Sequence, residues 1–346
     1  MGLTADFERL AFPLEHEFTI SRGSASTARN VAVEITDEAG TTGVGAAAPS
    51  RHYGETVETV EAVFPDLLDV VREVGDPHAL DRIEREMRGR VNDNPAARAA
   101  VSIALHDLAA KRLDQPLYRL WGLDPADAPN TSYTIGIDDT ETMRRKTEQA
   151  VDRGYTTLKV KVGTDRDEEI VSTVREAAPD ATIRVDANEA WTAREAVRAT
   201  ETLADYGVEF VEQPVPADDP EGLRYVYEHG SLPVAADESC VTLADVPQVA
   251  DSVDIVNLKL MKCGGLREAT RMIHTARAHG LEVMLGCMVE SNAAIAAACH
   301  LAPLLDYADL DGALLLAEDA YDGVDLTGGE VDLDTLDRPG TGARKR

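Results

Sequence analysis

Lysine is scarce in this chain, with seven residues among 346. Cysteine is scarcer still: Cys240, Cys263, Cys287 and Cys299 form no C-x-x-C pair, and the eight histidines form no H-x-x-x-H. A zinc site built from thiolates or imidazoles is therefore not expected, and reduced, buried thiols are. No apolar run approaches the roughly 18–20 residues of a membrane span. The opening "MGLTADFERL" has no basic stretch leading into an apolar one, so no signal peptide is read and the expected setting is cytoplasmic. Positive charge is also short: 63 Asp and Glu face 34 Lys and Arg, a net charge of -29. That excess opposes binding to nucleic acid or to anionic membrane. The acids are spread along the chain, a composition that points to a halophilic protein.

What is present is a repeat. From residue 155 onward, short β-branched runs that end in a charged residue alternate with amphipathic helical stretches: "TTLKVKV", "TIRVDAN", "VEFVEQP", "LPVAADES", "VDIVNLKL", "LEVMLGC", and a less regular run at "YADLDGALLL". Strand and helix alternating at this spacing means parallel strands with crossover helices. The fold class is α/β, a modified (β/α)7-8 TIM barrel. The first 125 residues differ. "RNVAVEITDEAGTTGVGAAAP" reads as strand, turn and strand, and helical stretches follow, notably "NPAARAAVSIALHDLAAKRLDQPLYRLWG". The expected organisation is an α+β capping domain over 1–125, a barrel over 126–312, and a segment over 313–346 that returns to the capping domain.

Barrels keep their chemistry at the C-terminal ends of their strands. Asp186, Glu212 and Asp237 end three consecutive runs, 26 and 25 residues apart, so they belong to adjacent strands and converge. Any one of them alone is an ordinary strand-end acid in so acidic a chain. Three in step repel one another unless a cation lies among them, and oxygen ligands without Cys or His favour a hard cation, Mg²⁺. Lys159 and Lys161 are two apart in one strand and share a face, pointing into the barrel. Lys259 ends the strand after Asp237. With Lys262, four of the seven lysines fall in two such strings. The lysines are expected to pair with the carboxylates in the ligand-free protein and to face each other across a bound substrate. Two amines flanking a metal suit removal of a proton next to a carboxylate, through an enediolate. A base for that work needs a pKa lowered from ~10.4 toward ~7–8. Removal on one face and return on the other inverts a stereocentre.

These motifs resemble the enolase superfamily, in particular its muconate-lactonizing subgroup, over nearly the whole chain: "ALHDLAAKRLDQPLYRLWG", "KVK", "DAN", "EQP", "DES" and "KLMKCGG". The resemblance implies that Lys161 and Lys259 are the acid/base pair and that Lys159 stabilises the substrate carboxylate. It also implies that Asp186, Glu212 and Asp237 hold one Mg²⁺ per subunit, supported by Asn188 and Glu238. Within the subgroup the chain is most similar to dipeptide epimerases of the Ala–Glu type. "LGCMVES" would line the dipeptide site through Cys287 and Met288. "DLDG" would hold the substrate's α-ammonium through Asp309 and Asp311. In the loop "FTISRGSAST", Arg22 would meet a distal carboxylate, and Thr134 would line the pocket. The partner is a small-molecule substrate, and barrels of this family often assemble as homo-oligomers. One departure stands out: Ala46 lies where relatives often carry an acid.

The same machinery also fits a cycloisomerase of the muconate type or an o-succinylbenzoate synthase, neither of which needs an ammonium-binding acid pair. A Schiff-base aldolase on a barrel needs one activated lysine and no carboxylate triad. A non-catalytic binding protein has no need of the complete set.

Overall fold

The computed structural model describes residues 2–346. Two long strands, β1 (Leu3–Ile20) and β2 (Gly23–Asp37), form an antiparallel hairpin whose tip carries Ser21 and Arg22. The Asp37 side chain accepts from the Ala39 and Thr41 amides and turns the chain into β3 (Thr42–Ala47). Three helices follow: α1 (Val57–Val74), α2 (Leu80–Arg90) and α3 (Pro95–Arg112). The alanines of α3 let it run through the middle of the molecule, buried on nearly every face. β3 matches them with glycine. A Cβ on Gly43 would lie 2.1 Å from the Ala104 carbonyl oxygen, so strand and helix touch backbone to backbone. Ala46 is buried on β3 opposite Ala32.

The second half is an eight-stranded parallel barrel: β4 (Tyr133–Ile135), β5 (Thr157–Lys161), β6 (Thr182–Asp186), β7 (Val208–Glu212), β8 (Val234–Ala236), β9 (Ile255–Lys259), β10 (Glu282–Gly286) and β11 (Tyr307–Asp309), paired in chain order. A single bridge between Thr131 and Ala308 brings the first and last strands together. Helices cover the outside, where Leu158 and Val160 of β5 are fully buried. Inside, Arg184 of β6 lies over the rings of Phe210 and Tyr307, 5.3 and 4.9 Å from their centroids, and fills the barrel beneath the site.

The last residues return to the first half. The amide and hydroxyl of Thr341 donate to Asp107 of α3, a carboxylate that is fully buried and also accepts from the Val44 amide and from Lys111. Tyr321–Asp322 pairs with Arg344–Lys345 close to β1 and β2. Among the described residues, no helix is long and apolar enough to cross a membrane.

Candidate active site

The strand order decides the geometry of the site. Lys161 ends β5 and Lys259 ends β9, four places apart in a ring of eight, so they stand on opposite walls. Asp186 ends β6, Glu212 ends β7, and Asp237 follows β8 by one residue, so the three acids occupy the arc between the lysines. The backbone turns sharply just past two of these strands: Asn188, Glu189 and Gln213 have φ of 45°, 68° and 38°. Non-glycine residues seldom adopt such values, and they do so where the surroundings dictate it. Gln213 accounts for its own case. It is wholly buried, accepts from the Asp237 and Ser239 amides, and donates to the Val215 carbonyl and the Ser239 hydroxyl. It thereby ties the β7 and β8 ends together and fixes the backbone at Asp237.

Each acid has one oxygen on a structural donor and the other on a lysine. Asp186 Oδ1 accepts from the Asn188 amide at 2.9 Å, while Oδ2 meets Lys161 at 2.6 Å and Lys159 at 3.1 Å. Glu212 Oε1 accepts from Asn257 Nδ2 at 2.8 Å, and Oε2 lies 2.7 Å from Lys159. Asp237 Oδ1 meets Lys262 at 2.6 Å, and Oδ2 meets Lys259 at 2.8 Å. The expected pairing of lysines with carboxylates is therefore present. Asn257 lies two residues before Lys259 on β9, as Lys159 does before Lys161 on β5. The period-two pattern that singles out Lys159 also singles out Asn257, which went unnoticed because a lone Asn carries no charge. Gly286 makes room for it: a Cβ there would lie 2.8 Å from Asn257 Oδ1.

Burial and charge set the ionisation of these groups. Burial, with the charge of Asp186 added, pushes Glu212 up to about 8. Burial acts the same way on Asp186, but Lys161 and Lys159 outweigh it and hold that carboxyl below its ordinary range. Asp237 is likewise held well below by Lys259 and Lys262. Burial alone would lower Lys259, yet Asp237 holds it above its ordinary value. That is opposite to the lowered pKa expected of a base, because the nearest charges here are carboxylates. The donor set fits Mg²⁺: three buried acids with oxygen ligands only, their outer oxygens fixed, and one of them unwilling to ionise without added positive charge.

On the wall opposite Glu212, Asp309 ends β11 and accepts from Ser132 Oγ at 2.5 Å and from Lys159 Nζ at 2.8 Å. Asp311, in the turn beyond, accepts from the Thr134 amide at 2.6 Å. Burial and the neighbouring Asp309 charge push Asp311 up to about 7. Arg22 reaches down from the hairpin tip to Glu238 at 2.6 Å and Glu189 at 2.8 Å, so its guanidinium is paired in this structure. Burial raises Glu238 to about 7. His52, Glu189 and Glu238 bring one ligand atom each within 4.8 Å of one another, and Arg22 supplies the positive charge there. A cavity of about 700 Å³ joins these groups. Barrel residues Lys159, Lys161, Lys259, Cys287 and Met288 line it below, and Arg22, Arg29, Arg51 and Tyr53 line it from the capping side. The last three had no signal in the sequence, since nothing marks which loop residues face inward.

Residues 7–122 match the mandelate racemase/muconate lactonizing enzyme N-terminal domain, and residues 142–345 match the enolase C-terminal domain-like model. The chain belongs to the mandelate racemase/muconate lactonizing enzyme family. A relative from Bacteroides thetaiotaomicron, an L-Ala-D/L-Glu epimerase, is 39% identical across 99% of this chain and 89% of its own. The solved dipeptide epimerase of Enterococcus faecalis, complexed with Mg and L-Leu-L-Tyr, is similar with a TM-score of 0.90 and 35% identity over 99% of each chain. An N-succinyl Arg/Lys racemase from Bacillus cereus gives a TM-score of 0.93 at 29% identity, covering 100% of this chain and 96% of that one. The two-lysine, three-acid barrel mouth is thus set in a family that includes these epimerases and this racemase.

Proposed function

We propose that this chain is a Mg²⁺-dependent dipeptide epimerase that inverts an α-carbon by moving a proton between two bases. The observation that carries the proposal is the placement of Lys161 and Lys259 on opposite walls, with Asp186, Glu212 and Asp237 on the strands between them. One lysine, neutral, takes the α-proton from one face. The other, as an ammonium, delivers a proton to the opposite face, and the pair is left with its roles exchanged. Asp186, Glu212 and Asp237 would hold one Mg²⁺ per subunit, which when bound would supply positive charge beside the substrate carboxylate. Lys159, buried beneath the site, adds a second positive charge on that side. Asn188, through its amide, and Glu238, through Arg22, keep the surrounding loops in place.

Asp309 and Asp311 receive the dipeptide's α-ammonium, with Thr134, Cys287 and Met288 around it. Arg22 meets a distal carboxylate on the second residue, exchanging Glu189 for the substrate while keeping Glu238. This acid pair is what favours a dipeptide over an N-succinyl amino acid, which has no free ammonium to offer and would set a carboxylate against two acids. It also favours epimerisation over the cycloisomerase and synthase chemistries. The acidic composition supports a halophilic setting, a cytoplasmic location belongs to the same reading, and light scattering in molar KCl tests the expected homo-oligomer.

The test is deuterium uptake in D₂O with MgCl₂, followed by proton NMR, over a dipeptide panel that starts with L-Ala-L-Glu and includes N-succinyl amino acids. Loss of the second residue's α-proton signal, together with appearance of the other epimer, is expected. Exchange confined to the N-succinyl compounds would sink the dipeptide proposal.

A further inference from the structure

Lys262 is the one lysine of the two strings without a role so far. It sits in the short helix Leu260–Cys263 just after β9, with 2% of its surface exposed. Its ammonium lies 2.6 Å from Asp237 Oδ1, 2.6 Å from the Asp237 carbonyl, 2.8 Å from the Asn257 carbonyl and 3.0 Å from the Cys240 carbonyl. An ammonium has three protons, and here four oxygens share them. No donor is left over for a substrate or for proton transfer. The group behaves as a fixed cation inside a cage of three main-chain carbonyls and one carboxylate oxygen.

The other two acids show what such a contact is for. Asp186 and Glu212 also have their outer oxygens engaged, by the Asn188 amide and the Asn257 side chain. Those tethers are neutral and hold one oxygen back, so that the other alone faces the centre. Asp237 has a charged tether instead. A Mg²⁺ site needs near-octahedral geometry and is satisfied by one oxygen from each acid, whereas Ca²⁺ readily takes both oxygens of one carboxylate at longer range. Gln213 and Lys262 already hold the main chain at Asp237, so what the charged tether adds is the orientation of the carboxylate itself.

We propose that Lys262 is a positioning residue that locks Asp237 into presenting a single oxygen, and that it thereby sets both the affinity for Mg²⁺ and the preference for Mg²⁺ over Ca²⁺. This rests on Asp237 being a metal ligand, as in the proposed function. The positive charge by itself would weaken the binding of any divalent cation. Orientation and charge therefore predict opposite signs when the lysine is removed, and the sign of the change decides between them.

The experiment is isothermal titration of the full chain with MgCl₂ and with CaCl₂, alongside thermal melts, for the native protein, K262Q, K262A and D237N. Groups that orient metal ligands typically contribute ~10–100-fold in affinity. K262Q is expected to fold and to lose Mg²⁺ affinity by about that factor, with a smaller loss for Ca²⁺, so that the ratio between the two narrows. In K262A, ammonium chloride is expected to restore Mg²⁺ binding where lithium chloride does not, because the emptied cage suits a small cation with protons to donate. Unchanged or tighter Mg²⁺ binding in a folded K262Q overturns the inference. So does a K262Q or K262A chain that fails to fold in every salt, since the lysine then serves the fold alone. D237N separates the two levels: if it binds Mg²⁺ like the native chain, the metal site itself is wrong; if it loses binding while K262Q keeps it, only the role of Lys262 is wrong.

Discussion

At the scale of single residues, the two bases are distinguishable by experiment because they stand on opposite faces. K161A and K259A should each lower epimerisation by at least ~10²-fold, the usual contribution of a positioned acid or base. Each should still exchange the α-proton of the one epimer that faces the surviving lysine, as seen by NMR in D₂O. Equal loss of exchange from both epimers would remove the two-base scheme. These lysines were legible in the sequence for a simple reason: they are rare, and a spacing of two puts them on one face of a strand. The acids were legible because they recur at one barrel repeat. Gln213 was not, and Lys262 was counted in its string without a role, although both lie in motifs that stand out. Their partners are mostly main-chain groups of the loop after β8, and no side-chain pattern advertises an unpaired carbonyl.

Among elements, α3 shows how the capping half is joined to the loop above the site. Its first residues carry amides with no helical partner. The residue before it, Asn94, takes φ of 60° and does not cap with its side chain. Glu55, from the loop ahead of α1, does so instead, both oxygens accepting from the Ala96 amide at 3.2 Å. Burial raises its pKa to about 7 from an ordinary 4.5. The folded protein therefore holds this proton more tightly than the unfolded chain. The associated stability is fully present below pH 4.5 and is lost as pH rises toward 7, a change of roughly 3 kcal/mol at ~1.4 kcal/mol per unit. E55Q lacks that titration. Between pH 5 and pH 8 the difference in melting temperature between E55Q and the native chain should move in favour of E55Q; a difference that stays constant would show that Glu55 does not titrate in this range. The one barrel strand the sequence did not reveal is β4. It has three residues and, unlike the equally short β8 and β11, no charged residue at its end, and only its pairing with β5 and the bridge at Thr131 make it part of the ring.

For the whole molecule, charge is the dominant quantity. The 63 acids exceed the 34 lysines and arginines by 29, so even complete pairing leaves a large repulsion that favours expansion. Salt weakens the exposed ion pairs as well, but such pairs contribute little each, while shortening the screening length from ~10 Å at 0.1 M to ~3 Å at 1 M acts on every unpaired acid. The melting temperature should therefore rise by roughly 5 °C or more over that range of KCl, equivalent to a few kcal/mol in a chain of this size. A fall would refute the halophilic proposal.

The contact between Thr341 and Asp107 joins residues 234 positions apart. During synthesis, α3 leaves the ribosome with Lys111 beside its buried aspartate but long before Thr341, which supplies two more donors. Until the final stretch emerges, the helix at the centre of the molecule has a carboxylate lacking two of its donors, so the capping half stays provisional while the barrel strands are still being made. A nascent chain stalled short of residue 341 should therefore be more open to proteases in its first hundred residues than the released protein.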